Sequence, residues 1–212
     1  EVDRIRDGKS FTTRRVVAIQ KGRPIFNLAA SFQIVEPGLE HHAEMPEVPP
    51  PEELRPDFEM AKEVGGDEVP DAIRRIATSE RAIEMRPVIP YNVLEPRERP
   101  PRRCVWYRAR EPLPEDPAVH CEVLAYASDF HFLGTALQVH GTSWLMPNMQ
   151  VASLDHAMWF HRPFRIDDWI LYSIDSPSTG GARGLVRGQF FDRNGALVAS
   201  TMQEGLIRRR DG

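Results

Sequence analysis

The sequence predicts an α+β protein in which an antiparallel sheet wraps around one helix. In the C-terminal half, segments rich in apolar and β-branched residues are separated by turn residues, a pattern typical of strands. The strands expected there are 151–160, 169–174, 182–191 and 196–208. Ahead of them, apolar residues recur every three or four positions between Val119 and Leu137 and predict one long, largely buried helix. Antiparallel strands that follow a single helix favour one sheet packed around it.

Local signals define the ends of these elements. Asp116 followed by Pro117 is a plausible helix start, because the first helical position needs no backbone N–H. Asn194-Gly195 predicts a hairpin turn between the last two strands, since this pair readily adopts positive φ. Two further strands, 83–94 and 102–111, are expected before the helix, on either side of a turn rich in proline and arginine.

The N-terminal part has strand character as well. The strands expected there are 2–6, 11–20 and 24–35. The last two meet at the turn Lys21-Gly22-Arg23. A weak internal repeat relates this hairpin to the final one, with residues 30–33 (ASFQ) matching residues 200–203 (STMQ). The repeat favours an architecture of two related parts.

A segment of different composition separates the two parts. Residues 36–69 are rich in proline and acidic side chains, which is typical of an extended linker, and a short amphipathic helix is expected over 71–80. We therefore predict three segments. They are 1–36, a unit of strands; 37–82, a linker with a short helix; and 83–212, an α+β domain.

Composition excludes several classes of function. The 212 residues include 27 basic and 31 acidic side chains, so bulk charge does not favour binding to nucleic acid. No run approaches the roughly 18 apolar residues of a membrane helix. Cys104 and Cys121 are too few for a disulfide scaffold and lack metal-ligand spacing, and the pair His41-His42 lacks a third ligand. We therefore expect no metal site. Because the sequence lacks a peroxisomal Ser-Lys-Leu ending, we expect a cytoplasmic protein.

Asp129 is the first candidate for a functional residue. It falls in the middle of the predicted helix, beside the apolar stripe. A carboxylate in that place costs free energy unless it is hydrogen-bonded or used in chemistry.

Other constellations rank lower. Asp155 and His156 are adjacent in a predicted strand, so their side chains should point to opposite faces. His131 is only two positions from the helical aspartate, which is also a poor arrangement on a helix. Cys121 has no indicated histidine partner, and Ser143 lacks the glycine-framed turn of the α/β hydrolases.

Long motifs in this chain resemble the acyl-CoA thioesterase II family. They are YASDFHFLGTALQ, VASLDHAMWFHRPF, ARGLVRGQFFDRNGALVASTMQEGLIR and, in the first part, SFTTRRVVAIQKGRPIFNLAASFQ. The resemblance extends over nearly the whole chain and keeps its order. It implies a double-hotdog fold, in which two tandem repeats each curl an antiparallel sheet around a helix. Because family members extend ahead of the position of Glu1, residues 1–36 would be the remaining strands of an incomplete first hotdog.

The resemblance also implies a reaction and its residues. Family members hydrolyse acyl-CoA thioesters to free fatty acid and CoA, in fatty acid metabolism, without metal, cofactor or covalent intermediate. The catalytic aspartate, hydroxyl residue and glutamine of the family match Asp129, Ser153 and Gln203. Chemically, Asp129 would act as general base on a water molecule that Ser153 and Gln203 orient. Each of the three residues also has a purely structural interpretation.

Two alternatives remain open at this point. One is a non-catalytic acyl-CoA-binding module. The other is a hotdog hydratase or dehydratase, which would need a histidine paired with an acid and which the matched motifs disfavour. We also expect self-association, since sheet edges need covering. Arg102, Arg103, Arg162 and Arg183 are candidates for binding the CoA phosphates, and Phe130, Phe132, Leu133 and Trp144 are candidates for lining an acyl tunnel or for core positions.

Overall fold

The computed structural model describes residues 1–64 and 78–210, and its contacts divide the chain into two units, Glu1–His41 and His42–Gly212. The predicted helix over 71–80 falls mostly outside the described residues. The predicted domain limits of 36 and 82 stay a prediction. Within the described part of the chain, no helix has the length and apolar character needed to cross a bilayer.

The first unit is a three-stranded antiparallel sheet. Its strands are β1 (Val2–Asp7), β2 (Phe11–Gln20) and β3 (Arg23–Gln33), in the order β1-β2-β3. Lys21 and Gly22 both have positive φ, 51° and 73°, so the β2–β3 hairpin closes at the predicted place through a two-residue turn, and Arg23 of the predicted turn is already the first residue of β3. No residue of this unit is buried, and its exposed apolar side chains include Ile25, Phe26 and Phe32.

The second unit is a seven-stranded antiparallel sheet with helices packed on one face. Among the described residues its α-helices are α1 (Asp57–Val64), α2 (Pro117–Ala127) and α3 (Phe132–Leu137). Its strands are β4 (Ile83–Pro87), β5 (Arg102–Ala109), β6 (Met149–Ser153), β7 (Ala157–Phe160), β8 (Ile170–Gly180), β9 (Arg183–Asp192) and β10 (Leu197–Arg209). The order is β4-β5-β8-β9-β10-β6, and β7 also pairs with β10. Helix α3 packs against β8, β9 and β10, which confirms the α+β class and the sheet around a central helix.

The prediction of one uninterrupted helix between Val119 and Leu137 is wrong. Helix α2 ends at Ala127, and α3 begins only at Phe132. In between, His131 adopts the left-handed conformation, with φ of 64°, which breaks the helical hydrogen-bond ladder. Asp129 therefore lies in a turn between two helices and not in the middle of one. The predicted start is confirmed, because Asp116 caps α2 by accepting a hydrogen bond from the Ala118 N–H at 2.9 Å.

The predicted strand over 151–160 is in fact two strands. Strand β6 pairs with β10 at residues 205–209, and β7 pairs with β10 at residues 199–202. The intervening residues 154–156 leave the ladder, and there the Asp155 carboxylate accepts a hydrogen bond from the Glu204 N–H at 2.7 Å. The rule that adjacent strand residues face opposite ways does not apply across this break.

The proline-rich segment packs on the other face of the sheet. The Trp106 indole N–H donates to the carbonyl of Pro49 at 3.0 Å, and the Arg86 guanidinium donates to the carbonyls of Pro51 and Leu54. Met45, Val48 and Leu54 cover a cluster of five buried residues, which are Trp106, Trp169, Leu171, Phe191 and Leu197. Residues 45–54, which include a short 3-10 helix at Pro51–Glu53, thus belong to the second unit, and side-chain donors satisfy three of their carbonyls.

A glycine in β9 makes room for a central aromatic ring. A Cβ atom on Gly188 would lie 2.3 Å from Cε2 of Tyr172 and 2.6 Å from Oγ1 of Thr201. Gly180, at the end of β8, has nothing within 4 Å of the corresponding position. Position 188 of β9 therefore has no room for a side chain, because the Tyr172 ring occupies that space.

We expect Gly188→Ala to lower the free energy of unfolding by about 1–3 kcal/mol, since the added methyl overpacks the core. Gly180→Ala, the matched control, should change it by less than about 0.5 kcal/mol. Urea unfolding of both variants beside the parent measures the difference. Equal stabilities of the two variants would contradict the close packing of Tyr172 on Gly188.

Candidate active site

Two buried tyrosines hold the turn that carries Asp129. The Tyr172 hydroxyl donates to the Ser128 carbonyl at 2.8 Å, and the Tyr107 hydroxyl donates to the Phe130 carbonyl at 2.9 Å. Burial raises the pKa of both tyrosines well above the usual value, so both hydroxyls keep their protons. The carbonyls on either side of Asp129 are therefore fixed to the sheet, while the Asp129 side chain itself is exposed.

The sheet positions these tyrosines by aromatic packing. Tyr107 on β5 and Tyr172 on β8 meet edge to face, with ring centroids 5.5 Å apart. Tyr172 also stacks on Phe190 of β9, with centroids 3.8 Å apart. Both tyrosines are fully buried, and aromatic contacts of this kind add to the stability gained by burial.

His131 completes the hydrogen bonds of the turn. Its Nδ1 lies 2.9 Å from the Tyr107 hydroxyl, whose own proton goes to the Phe130 carbonyl. His131 must therefore donate from Nδ1. Burial, with a smaller effect of the cations Arg103 and Arg81, lowers the pKa of His131 to about 3. The ring is neutral near neutral pH and supports the turn.

Ser153 and Gln203 are brought together by the β6–β10 pairing. Ser153 lies opposite Gly205 in the ladder, so its side chain shares a face with Gln203, two residues away. The Gln203 amide nitrogen donates to the Ser153 hydroxyl at 2.9 Å. Gln203 is completely buried, and Leu133 of α3 covers the empty space above Gly205. Two predicted site residues that are fifty positions apart in the chain are thus hydrogen-bonded to each other.

His156, which the sequence argument set aside, links this pair to the turn. Its Nδ1 is hydrogen-bonded to the Gln203 amide oxygen, and its Nε2 lies 2.8 Å from the Ser128 hydroxyl. A continuous chain of hydrogen bonds therefore runs from Ser128 through His156 and Gln203 to Ser153. Residues 154–156 contain neither glycine nor proline, so no signal in the sequence marked the strand break that frees the His156 ring.

Asp129 and Ser153 line one cavity of about 1170 Å³. All four residues predicted for an acyl tunnel or the core line it too: Phe130, Phe132, Leu133 and Trp144. Of the four arginines predicted for CoA phosphates, only Arg103 lines it. The arginines along its described wall are Arg81, Arg97, Arg99, Arg103 and Arg210. The cavity therefore combines an apolar wall with several cations.

Arg103 is the most buried of these cations, with 8% of its surface exposed. Its Nη2 donates to the Gln138 side-chain oxygen at 2.7 Å, and its guanidinium lies 4.1 Å from the centre of the Tyr91 ring. Within residues 1–64 and 78–210 it forms no ion pair. A fixed, unneutralised cation at the cavity wall favours anionic or strongly polar ligands.

Two lower-ranked nucleophile candidates have structural roles. The Ser143 hydroxyl is buried and donates to the Val93 carbonyl at 2.6 Å. Burial and the nearby Glu122 raise the pKa of the Cys121 thiol, which disfavours the reactive thiolate. The structure gives neither residue the surroundings of an activated nucleophile.

The low pKa of His131 gives a testable dependence of stability on pH. The folded-state pKa of about 3 lies below the usual unfolded value, so between them the unfolded chain binds more protons. His131 should therefore make the free energy of unfolding rise with pH over this range, by up to about 1.4 kcal/mol per pH unit. His131→Asn removes the titration but keeps an N–H donor and a residue type that tolerates positive φ.

Urea unfolding of both proteins from about pH 4 to about pH 6 measures this effect. We expect the variant to show the shallower slope of stability against pH. Parallel slopes would mean that His131 is accessible to protons in the folded state.

Comparison with known proteins identifies the family. A family model described as acyl-CoA thioesterase matches residues 73–206. Human acyl-coenzyme A thioesterase 8 is 44% identical over 215 residues, which cover 98% of this chain and 67% of the human protein. The acyl-CoA thioesterase II TesB2 from Mycobacterium marinum is 41% identical in sequence to this chain. Its crystal structure superposes with a TM-score of 0.76, over 100% of this chain and 73% of the TesB2 chain.

A more distant structure supports the fold alone. A conserved protein of unknown function with a hot dog fold, from Alicyclobacillus acidocaldarius, superposes with a TM-score of 0.74 at 17% identity, over 100% of this chain and 72% of that one. The two curled antiparallel sheets agree with the double-hotdog fold expected from the motifs. The chain spans about two thirds of the length of the human relative. On this evidence the chain belongs to the acyl-CoA thioesterase family, whose members are hydrolases.

Proposed function

We propose that this protein hydrolyses acyl-CoA thioesters to a free fatty acid and coenzyme A. One observation carries the proposal. In this chain, which belongs to the acyl-CoA thioesterase family, Asp129 and Ser153 line the same cavity, and Gln203 is hydrogen-bonded to Ser153. The same three residues match the catalytic residues of the family in the sequence motifs.

In the proposed reaction a water molecule attacks the thioester carbonyl carbon. Asp129 accepts a proton from that water as the new C–O bond forms. The tetrahedral intermediate then expels the CoA sulfur as the C–S bond breaks. The sulfur takes up the proton that Asp129 received from the water, which returns Asp129 to its ionised form. Ser153 is neutral and orients the water, and the neutral, buried Gln203 acts through its hydrogen bond to Ser153, so the contribution of both is positional. No metal or other cofactor enters this scheme.

The cavity supports an acyl-CoA as the substrate class. Its aromatic and aliphatic wall suits a hydrocarbon chain, which gains free energy by leaving water. The exposed Arg97 and Arg210 at the same cavity are the cations that we assign to the CoA phosphates, because both are accessible and lie beside the acyl wall. Self-association and a cytoplasmic location stay predictions from the sequence.

An acyl-CoA-binding module is the second candidate. One observation favours it: among the described residues, no hydrogen bond joins the Asp129 carboxylate to Ser153 or Gln203. Such a site could hold a thioester without cleaving it. A hydratase is less favoured, because the His156 ring contacts only neutral groups and lacks a paired acid in the described part of the chain.

We expect Asp129→Asn to reduce turnover by about 100-fold or more, because the amide cannot accept the proton of the attacking water. Binding of acyl-CoA should persist, since the shape of the cavity is unchanged. Thiol release from a series of acyl-CoAs, beside binding measured by calorimetry, tests both expectations. Glu122→Gln, an exposed change on α2 outside the cavity, is the matched control and should keep parental turnover.

The results separate the two candidate functions. Turnover by the parent and the control, lost in Asp129→Asn with binding retained, would support hydrolysis by general base catalysis. Acyl-CoA binding without turnover in all three proteins would instead support the binding module. Equal turnover by the parent and Asp129→Asn would remove Asp129 from the mechanism.

A further inference from the structure

The side-chain amide of Gln203 has two possible orientations of nearly equal shape. One directs its oxygen toward His156 and its nitrogen toward Ser153, and the other reverses them. Ser153 cannot decide between them, because a hydroxyl can both donate and accept. The His156 ring can decide, because a nitrogen that carries a proton accepts no hydrogen bond.

We propose that His156 is a positioning residue that fixes the orientation of the Gln203 amide and, through it, the direction of the hydrogen bond at Ser153. This inference rests on the proposed thioesterase function. With the proton on Nδ1, His156 donates to the Gln203 oxygen, so the Gln203 nitrogen must donate to Ser153. The Ser153 hydroxyl then keeps its own proton for the attacking water. In the reversed orientation, Ser153 would give that proton to Gln203.

Ser128 contacts the other side of the ring, and the proton on Nδ1 is indicated by the Gln203 oxygen that faces it. Its hydroxyl lies 2.8 Å from both His156 Nε2 and the Ala125 carbonyl, but it has only one proton to donate. When a neutral ring carries its proton on Nδ1, as the contact with the Gln203 oxygen requires, Nε2 accepts a hydrogen bond from Ser128. When the ring is cationic, Nε2 donates to Ser128, which then donates to Ala125. Nδ1 is a donor to Gln203 in both states.

The packing around the ring agrees with a positioning role. Phe132 meets the His156 ring edge to face, with centroids 5.7 Å apart. The neighbouring Asp155 accepts a hydrogen bond from the Glu204 N–H, and among the described contacts it forms none with the His156 ring. Both ring nitrogens of His156 are thus hydrogen-bonded to side chains, and within the described residues no acidic group that would make it a catalytic base is bonded to the ring.

Three substitutions of similar size separate donation from mere presence. His156→Asn places an amide N–H where Nδ1 lies, so it can still donate to Gln203. His156→Asp places only acceptors there, and His156→Leu places no polar atom. We expect His156→Asn to keep kcat within about 5-fold of the parent, and both His156→Asp and His156→Leu to lower kcat by about 100-fold. KM should change little in all three variants, because the ring does not line the cavity.

The measurements are kcat, KM and thermal midpoint for the four proteins. An Asn variant as inactive as Leu at equal stability would overturn the proposal, and so would Asp and Leu variants as active as the parent. If the Leu variant fails to fold, the comparison of Asn with Asp decides, since these side chains are isosteric.

A readout that does not depend on turnover keeps this inference separate from the proposed function. Nitrogen NMR of the parent with labelled histidine reports which ring nitrogen of His156 is protonated, with His156→Asn used to assign the signal. A proton on Nδ1 supports the inference even if the parent hydrolyses no acyl-CoA. A neutral ring protonated only on Nε2 would overturn it, because Nδ1 would then be an acceptor.

Discussion

The arrangement of the site depends on two hydroxyl groups that lie inside the core. Tyr107 and Tyr172 place their rings among the apolar residues of the sheet and their hydroxyls against the carbonyls of Phe130 and Ser128. A buried carbonyl without a partner would cost about 1–3 kcal/mol, so these bonds determine where the chain can leave the helix. The aspartate between the two fixed carbonyls is itself exposed.

The sequence predicted those parts of the fold that local chemistry determines. Lys21-Gly22 and Asn194-Gly195 form the turns expected of them, and Asp116 caps its helix. It did not predict the break at His131, because the apolar spacing continues through it. That break is stabilised by Tyr107 and Tyr172, which are far away in sequence, and a local pattern holds no record of such partners.

The site shows the same division. The resemblance to a known family supplied Asp129, Ser153 and Gln203, and the β6–β10 register explains why Ser153 and Gln203 meet. It did not supply His156. The alternation rule treats residues 151–160 as one strand, and only the observed pairing with β10 shows that the ladder stops before that residue. The error lay in the assumption of regular structure.

Asp129 and His156 lie where regular structure is interrupted, and Ser153 is the last residue of β6 before such an interruption. In a helix or strand, side chains follow a fixed period, and neighbours such as Ser128 and Asp129 cannot both be aimed freely. The left-handed residue after Asp129 and the gap between β6 and β7 remove that constraint. Each interruption frees backbone groups that must be satisfied, and buried tyrosines and the Asp155 carboxylate satisfy them. The hydrogen bonds of His156 then join the two irregular segments, so that the carboxylate and the pair that would orient water are held by one connected set of contacts.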